Sequence, residues 1–197
     1  IGNATAEFLG AKTVVVGRDM RLSSEEFAAA VSSGLSDAGV EVLDIGLCGT
    51  EMVYFATSFL KADGGIMVTA SHNPADYNGL KFVREEARPI SADTGLADIR
   101  RLAEADDRKL VEAAPDIREV VVLENYVEHM LSYVDPDALK PLKLVVNAGN
   151  GCAGIAIDSL EPYLPFEFIK LHNEPDGTFP NGIPNPLLPE NRSATID

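Results

Sequence analysis

Three apolar, β-branched runs, Thr13 to Val16, Val40 to Ile45 and Ile66 to Ala70, recur in the first part of the chain, with room for one helix between each and the next. Each has strand length and little polar alternation, the pattern of a strand buried on both faces. Between the first two, Ser23 and Glu26 have capping-box spacing. Phe27, Val31 and Leu35, with Ala28 and Ala38, line one helical face, and Gly39 supplies a left-handed stop. Between the second and third, Thr50 can cap a helix through about Leu60. This β-α-β-α-β order predicts a mainly parallel sheet covered by helices, joined by right-handed crossovers, with ligands bound at the carboxyl ends of its strands.

Gly79 to Val83 follows the third run too closely for a helical crossover and predicts an antiparallel strand. A helix from about Ala92 to Glu104, a charged stretch with breakers from Asp106 to Arg118 and a helix near Leu123 to Tyr133 come next. Asp135-Pro136-Asp137 and Lys140-Pro141 read as a boundary. Residues 1–137 are therefore expected to form a three-layer α/β/α domain with a mixed, mainly parallel sheet, and 138–197 part of a second, similar domain. There the pattern restarts with Leu142 to Val146 as a strand, Gly149-Asn150-Gly151 as a turn, a small-residue helix to about Tyr163 and Phe166 to Leu171 as a strand. The Pro- and Asn-rich segment from Asn173 to Pro189 is expected to be loop.

Charge narrows the function. The chain has 31 acidic against 16 basic residues, a formal charge of −15, which repels the phosphate backbone of DNA or RNA and anionic lipid surfaces. With 46% hydrophobic residues and a mean hydropathy of +0.03, the sequence reads as a soluble globular protein; no apolar run approaches a membrane span of about 18 residues. Cys48 and Cys152 make neither a disulfide framework nor a metal-finger spacing, which fits a reducing, cytoplasmic compartment, and both are expected to be small, inert hydrophobes. Nothing in the sequence sets an oligomeric state.

Chemistry concentrates in Thr69-Ala70-Ser71-His72-Asn73-Pro74-Ala75-Asp76-Tyr77-Asn78-Gly79-Leu80-Lys81, directly after a buried strand. A hydroxyl at a strand's carboxyl end is firmly held and open to a crevice, as nucleophilic or phosphoryl-carrying catalysis requires; a capped turn would use the same residue types. A serine hydrolase needs glycines two positions to either side of its nucleophile, where this chain has Thr69 and Asn73. His72, as the immediate neighbour of Ser71, is expected to point away from it.

The stretch Thr69-Ala70-Ser71-His72-Asn73-Pro74 with Asn78-Gly79-Leu80-Lys81 resembles the phosphoserine loop of the α-D-phosphohexomutases, the superfamily containing phosphoglucomutase, phosphomannomutase and phosphoglucosamine mutase. Val16-Gly17-Arg18-Asp19-Met20-Arg21 is similar to that family's Gly-Arg-Asp-x-Arg loop, and Val146 to Gly151 to the opening of its second domain. Val83-Arg84-Glu85, Arg88 to Ser91 and Asp176 to Pro186 most resemble bacterial phosphomannomutases that feed GDP-mannose synthesis. The resemblance implies that Ser71 carries a phosphoryl group that shuttles between C6 and C1 of mannose or glucose phosphate through a sugar 1,6-bisphosphate. It also implies that Lys81 and His72 assist proton transfer or orient the loop, and that Mg²⁺ bridges the phosphoserine and a trio of aspartates. Arg18, Asp19, Arg21 and Asn73 would bind phosphate or position the loop, Asp19 by pairing with an arginine. Other members of the superfamily, or a catalytically dead sugar-phosphate binding module, are the alternatives.

The Asp-x-Asp-x-Asp-Arg metal loop of that family has no match, nor do its sugar-specificity and phosphate-clamping loops, and the chain opens Ile1-Gly2-Asn3-Ala4 without Met or signal segment. It is expected to be an amino-terminal piece of a mutase, with little activity alone.

Overall fold

The computed structural model describes residues 1–105, 107, 110–112 and 116–196. Part of the charged stretch expected from Asp106 to Arg118 thus lies outside the described residues. Helix α1 (Gly2–Leu9) leads into β1 (Thr13–Arg18), α2 (Ser24–Ser36), β2 (Glu41–Leu47), α3 (Thr50–Phe59), β3 (Gly64–Val68), β4 (Leu80–Arg84), α4 (Leu96–Ala105), β5 (Ile117–Glu119) and α5 (Leu123–Leu131). Among the described residues the five strands form one sheet in the order β4-β3-β1-β2-β5. Its pairs are parallel except β3 with β4, where Met67 lies opposite Lys81.

Side-chain alternation divides the interior into two layers. Val14, Val16, Val42, Ile66 and Val68 face α1, α2 and α4, meeting Ala4, Ala28, Val31, Leu35 and Ile99. Val15, Leu43 and Met67 face the other way, onto Met52, Val53 and Ala56 of α3 and Tyr126 of α5. Each fully buried Val, Leu or Ile contributes roughly 1.5–3 kcal/mol, so the sheet is a stiff platform for the loops at its carboxyl edge. The expected α/β/α architecture is the one observed.

The second sheet pairs β6 (Leu142–Asn147) in parallel with β7 (Phe166–Leu171) around α6 (Ala153–Leu160), and α7 (Ser193–Ile196) follows a long loop. Ala156 of α6 packs against the layer that holds Tyr126, so α6 and the first sheet share that core. Among the described residues no helix is long and apolar enough to cross a membrane.

Several local expectations are corrected. Ser23 precedes α2 but makes no capping bond; its Oγ accepts instead from Asn78 Nδ2 at 3.0 Å, drawn to the Ser71 loop. Phe27 is 42% exposed, because Ala28, Val31 and Leu35 fill the stripe toward the sheet and leave Phe27 on its flank. Gly49, not Thr50, is the cap of α3. The third strand ends at Val68, so Thr69 and Ala70 already belong to the loop. Helix α1 and strand β5 were not expected: α1 is short, and β5 is an exposed, charged edge lacking an apolar pattern.

Candidate active site

Ser71 stands at the carboxyl edge of β3, beyond the buried Thr69 and Ala70. Its backbone is left-handed, with φ of 55°, a conformation that costs a non-glycine residue about 1–2 kcal/mol. Surrounding bonds hold it there. The Ser71 N–H donates to Thr69 Oγ1 at 2.9 Å, and Asn73 Nδ2 donates to the Ala70 carbonyl at 2.8 Å. The turn leaves Ser71 exposed and brings its Oγ to 3.3 Å from His72 Nδ1. The two neighbouring side chains therefore meet instead of diverging, because the left-handed residue turns the chain back on itself.

Beneath the loop lies a buried cation. The Arg21 side chain is 0% exposed. Its Nη1 donates to the carbonyls of Pro74 (2.6 Å) and Tyr77 (3.0 Å), its Nη2 to those of Ser71 (2.9 Å) and Asn73 (2.7 Å). Four loop carbonyls thus take up both terminal nitrogens in one plane, a geometry that only the guanidinium fork provides. Nε, 3.3 Å from Asp19 Oδ2, makes an ion contact outside hydrogen-bond alignment. Asp19 balances the charge and is itself saturated: Oδ1 accepts from the Arg21 N–H (3.0 Å) and Ser24 Oγ (2.5 Å), Oδ2 from Thr69 Oγ1 (2.7 Å). Asn78 closes the loop's far end, donating to Ser23 and Ser24 and accepting from the Gly79 N–H.

The structure thus joins Ser71, His72, Asn73, Asp19 and Arg21 in one network and adds Thr69, Ser24 and Asn78, which sequence reasoning did not single out. Thr69, two residues before the serine, and the Asn78-Gly79 pair were the available signals, both being turn-forming residue types. Two other candidates stand outside the network. Arg18 lines a separate cleft with Glu25, Asp44 and Glu119, and among the described residues neither its side chain nor that of Lys81, half-buried on β4, makes a hydrogen bond or ion pair. Burial pushes both thiols up; Cys152, near Asp19, reaches about 12.

Among the described residues no three His, Cys, Asp or Glu side chains are grouped so as to hold a metal ion, and Asp19 is committed to Arg21, Ser24 and Thr69. These residues do not by themselves fit the Mg²⁺ site that the resemblance implies.

A sequence model described as phosphoglucomutase/phosphomannomutase, alpha/beta/alpha domain I, matches residues 1–109, and its domain II counterpart matches residues 124–197. The chain belongs to the phosphoglucomutase/phosphomannomutase family. Curated relatives within that family include a phosphomannomutase of Salmonella montevideo, 58% identical across 99% of this chain, and phosphohexose mutases of Xanthomonas campestris pv. campestris, 60% identical across 99%. Among solved structures, a phosphoglucomutase/phosphomannomutase family protein from Burkholderia thailandensis superposes with a TM-score of 0.87 at 36% identity, covering 99% of this chain. The chain spans 44% of the length of each of these family members.

Proposed function

We propose that the protein containing this chain is a phosphohexomutase that moves a phosphoryl group between C6 and C1 of mannose or glucose phosphate, with Ser71 as carrier. The observation supporting this reading is the presentation of Ser71, an exposed hydroxyl on a backbone pinned by the buried Arg21 through four carbonyls. Phosphoryl transfer asks little covalent chemistry of a protein and much positioning, and a carrier fixed on a rigid edge meets that need. In the first step the bond between phosphorus and Ser71 Oγ breaks as phosphorus bonds to the sugar's free hydroxyl; that hydroxyl gives up its proton to a neighbouring base and the departing Oγ takes one up, leaving serine. The bisphosphorylated sugar then turns over and returns its other phosphoryl to Oγ.

We assign the proton to Lys81 or His72, the latter already 3.3 Å from Oγ. Asn73, bonded to the Ala70 carbonyl, holds the turn; Asp19 and Arg21 position it, and Arg18, whose side-chain donors have no partner among the described residues, offers a guanidinium to a phosphate. Mannose is the favoured sugar, since the Salmonella relative is named phosphomannomutase, and consumption of the product in GDP-mannose synthesis follows the same resemblance. Mg²⁺ and a sugar 1,6-bisphosphate are the cofactors of the whole protein, residues 1–137 and 138–197 its first two domain segments, and the cytoplasm its compartment. The 197 residues alone are expected to have little mutase activity.

The test is intact-mass measurement after incubation with a hexose 1,6-bisphosphate. Gain of one phosphoryl group, lost in Ser71→Ala together with turnover by the full-length enzyme, is expected; unimpaired turnover by Ser71→Ala would sink the assignment. A chain that never takes up phosphate would favour the binding-module reading.

A further inference from the structure

The terminal nitrogens of Arg21 are committed to the loop carbonyls and its Nε faces Asp19 in an ion contact, and one face of its guanidinium is covered by a residue remote in sequence. The Phe179 ring lies over it, with its centroid 5.1 Å from Cζ. Phe179 belongs to the loop after β7, on the second sheet, and is 6% exposed. Its φ is 49°, a left-handed conformation rare for an aromatic residue, sustained only where neighbours over-determine it.

Those neighbours can be named. The Phe179 N–H donates to the Asp176 carbonyl (3.1 Å), the Gly182 N–H to the Phe179 carbonyl (2.9 Å), and the Asp176 N–H to the Asn150 carbonyl (2.9 Å). Asp176 Oδ1 accepts from both the N–H and the hydroxyl of Thr178. Gly177 then lets the two backbones touch: a Cβ there would sit 2.2 Å from the Met20 carbonyl oxygen and 3.0 Å from Leu22 N. The 176–182 turn is thus seated directly on the 19–22 loop and aims one aromatic face at the cation beneath Ser71.

We propose that Phe179 is a positioning residue for the Ser71 loop, acting through Arg21, so that the second sheet's loop sets the pose of the phosphoryl carrier on the first. A ring face over a desolvated guanidinium attracts it and keeps water from its bonds to the four carbonyls. A leucine of comparable bulk would cover the site without the attraction.

The proposal rests on Ser71 being the carrier, but its first readout does not. In the full-length protein, Phe179→Leu is expected to fold with an unchanged core, while the hydrogen-bonded backbone amides of Ser71, Asn73 and Tyr77 exchange hydrogen about tenfold faster, the change expected when a cation–π contact of ordinary strength is lost. Phe179→Tyr is expected to restore the wild-type rate. In turnover with hexose phosphate, Phe179→Leu is expected to lower kcat with KM little changed, and Phe179→Tyr to recover it, a split that a merely space-filling role would not produce. Equal exchange in the Leu and Tyr variants would overturn the proposal. A Ser71 that takes up no phosphoryl group would overturn the proposed function and leave the exchange comparison standing.

Discussion

Arg21 shows how differently one residue reads in sequence and in space. Arg18, Asp19 and Arg21 lie within one short polar stretch at the end of β1, yet Arg21 turns under the Ser71 loop while Arg18 faces a cleft between α2 and the β2–β5 edge. The motif was legible; the division of labour was not, because it depends on four carbonyls some fifty residues away. Replacing Arg21 with Met would leave the Asp19 carboxylate buried without its cation, so a loss of about 3–5 kcal/mol is expected in urea denaturation. Thr69→Val keeps the shape but removes the hydroxyl shared by Asp19 and the Ser71 N–H. Its expected cost is about 1–3 kcal/mol, with faster amide exchange at Ser71 as the local signature.

At the scale of elements, strands with continuous apolar runs were readable, because burial on both faces leaves one pattern available to them. Helix α1 was not, since what holds it is a close approach: a Cβ on Gly2 would lie 2.2 Å from the Val31 carbonyl oxygen in α2. Gly2→Ala is accordingly expected to destabilise by about 1–3 kcal/mol, measured by thermal melting. Strand β5 escaped for the opposite reason, as its pairing with β2 needs no apolar face at an exposed edge. On the second sheet, Lys170 of β7 bonds Asp158 of α6 and Glu161. The Lys170 ammonium holds Asp158 below its ordinary carboxylate value. The stabilisation from a depressed carboxylate is present above the unfolded pKa of about 3.9 and is lost as pH falls through the lower folded value. Because Asp158 is exposed and Lys170 only half-buried, Asp158→Asn is expected to flatten the acid limb of the stability–pH curve only slightly.

The whole molecule combines a strong excess of acidic residues with a deeply buried Arg–Asp pair near the proposed reaction centre. Cys48 is fully buried and the Cys152 sulfur lies 4.0 Å from that of Met20, so the seam between the two sheets carries both thiols. Burial above all, then the neighbouring Cys152 and the Glu51 carboxylate, pushes Cys48 well above the ordinary thiol range, while burial and then the Asp19 carboxylate push Cys152 to about 12. Since the thiolate is the reactive form, neither is expected to be alkylated at about pH 8.5 in the folded protein, and both should react once guanidinium opens the seam. Rapid labelling of Cys152 alone under native conditions would show that the seam opens without global unfolding.

Position 71 carries a final consequence. A left-handed turn is glycine's natural place, so Ser71→Gly is expected to melt higher than Ser71→Ala, although both lack the hydroxyl. A library sorted only for thermal endurance would therefore drift toward glycine at this site and discard the proposed phosphoryl carrier. A serine in so unfavourable a twist is the kind of local frustration that the proposed chemistry, and not folding, would explain.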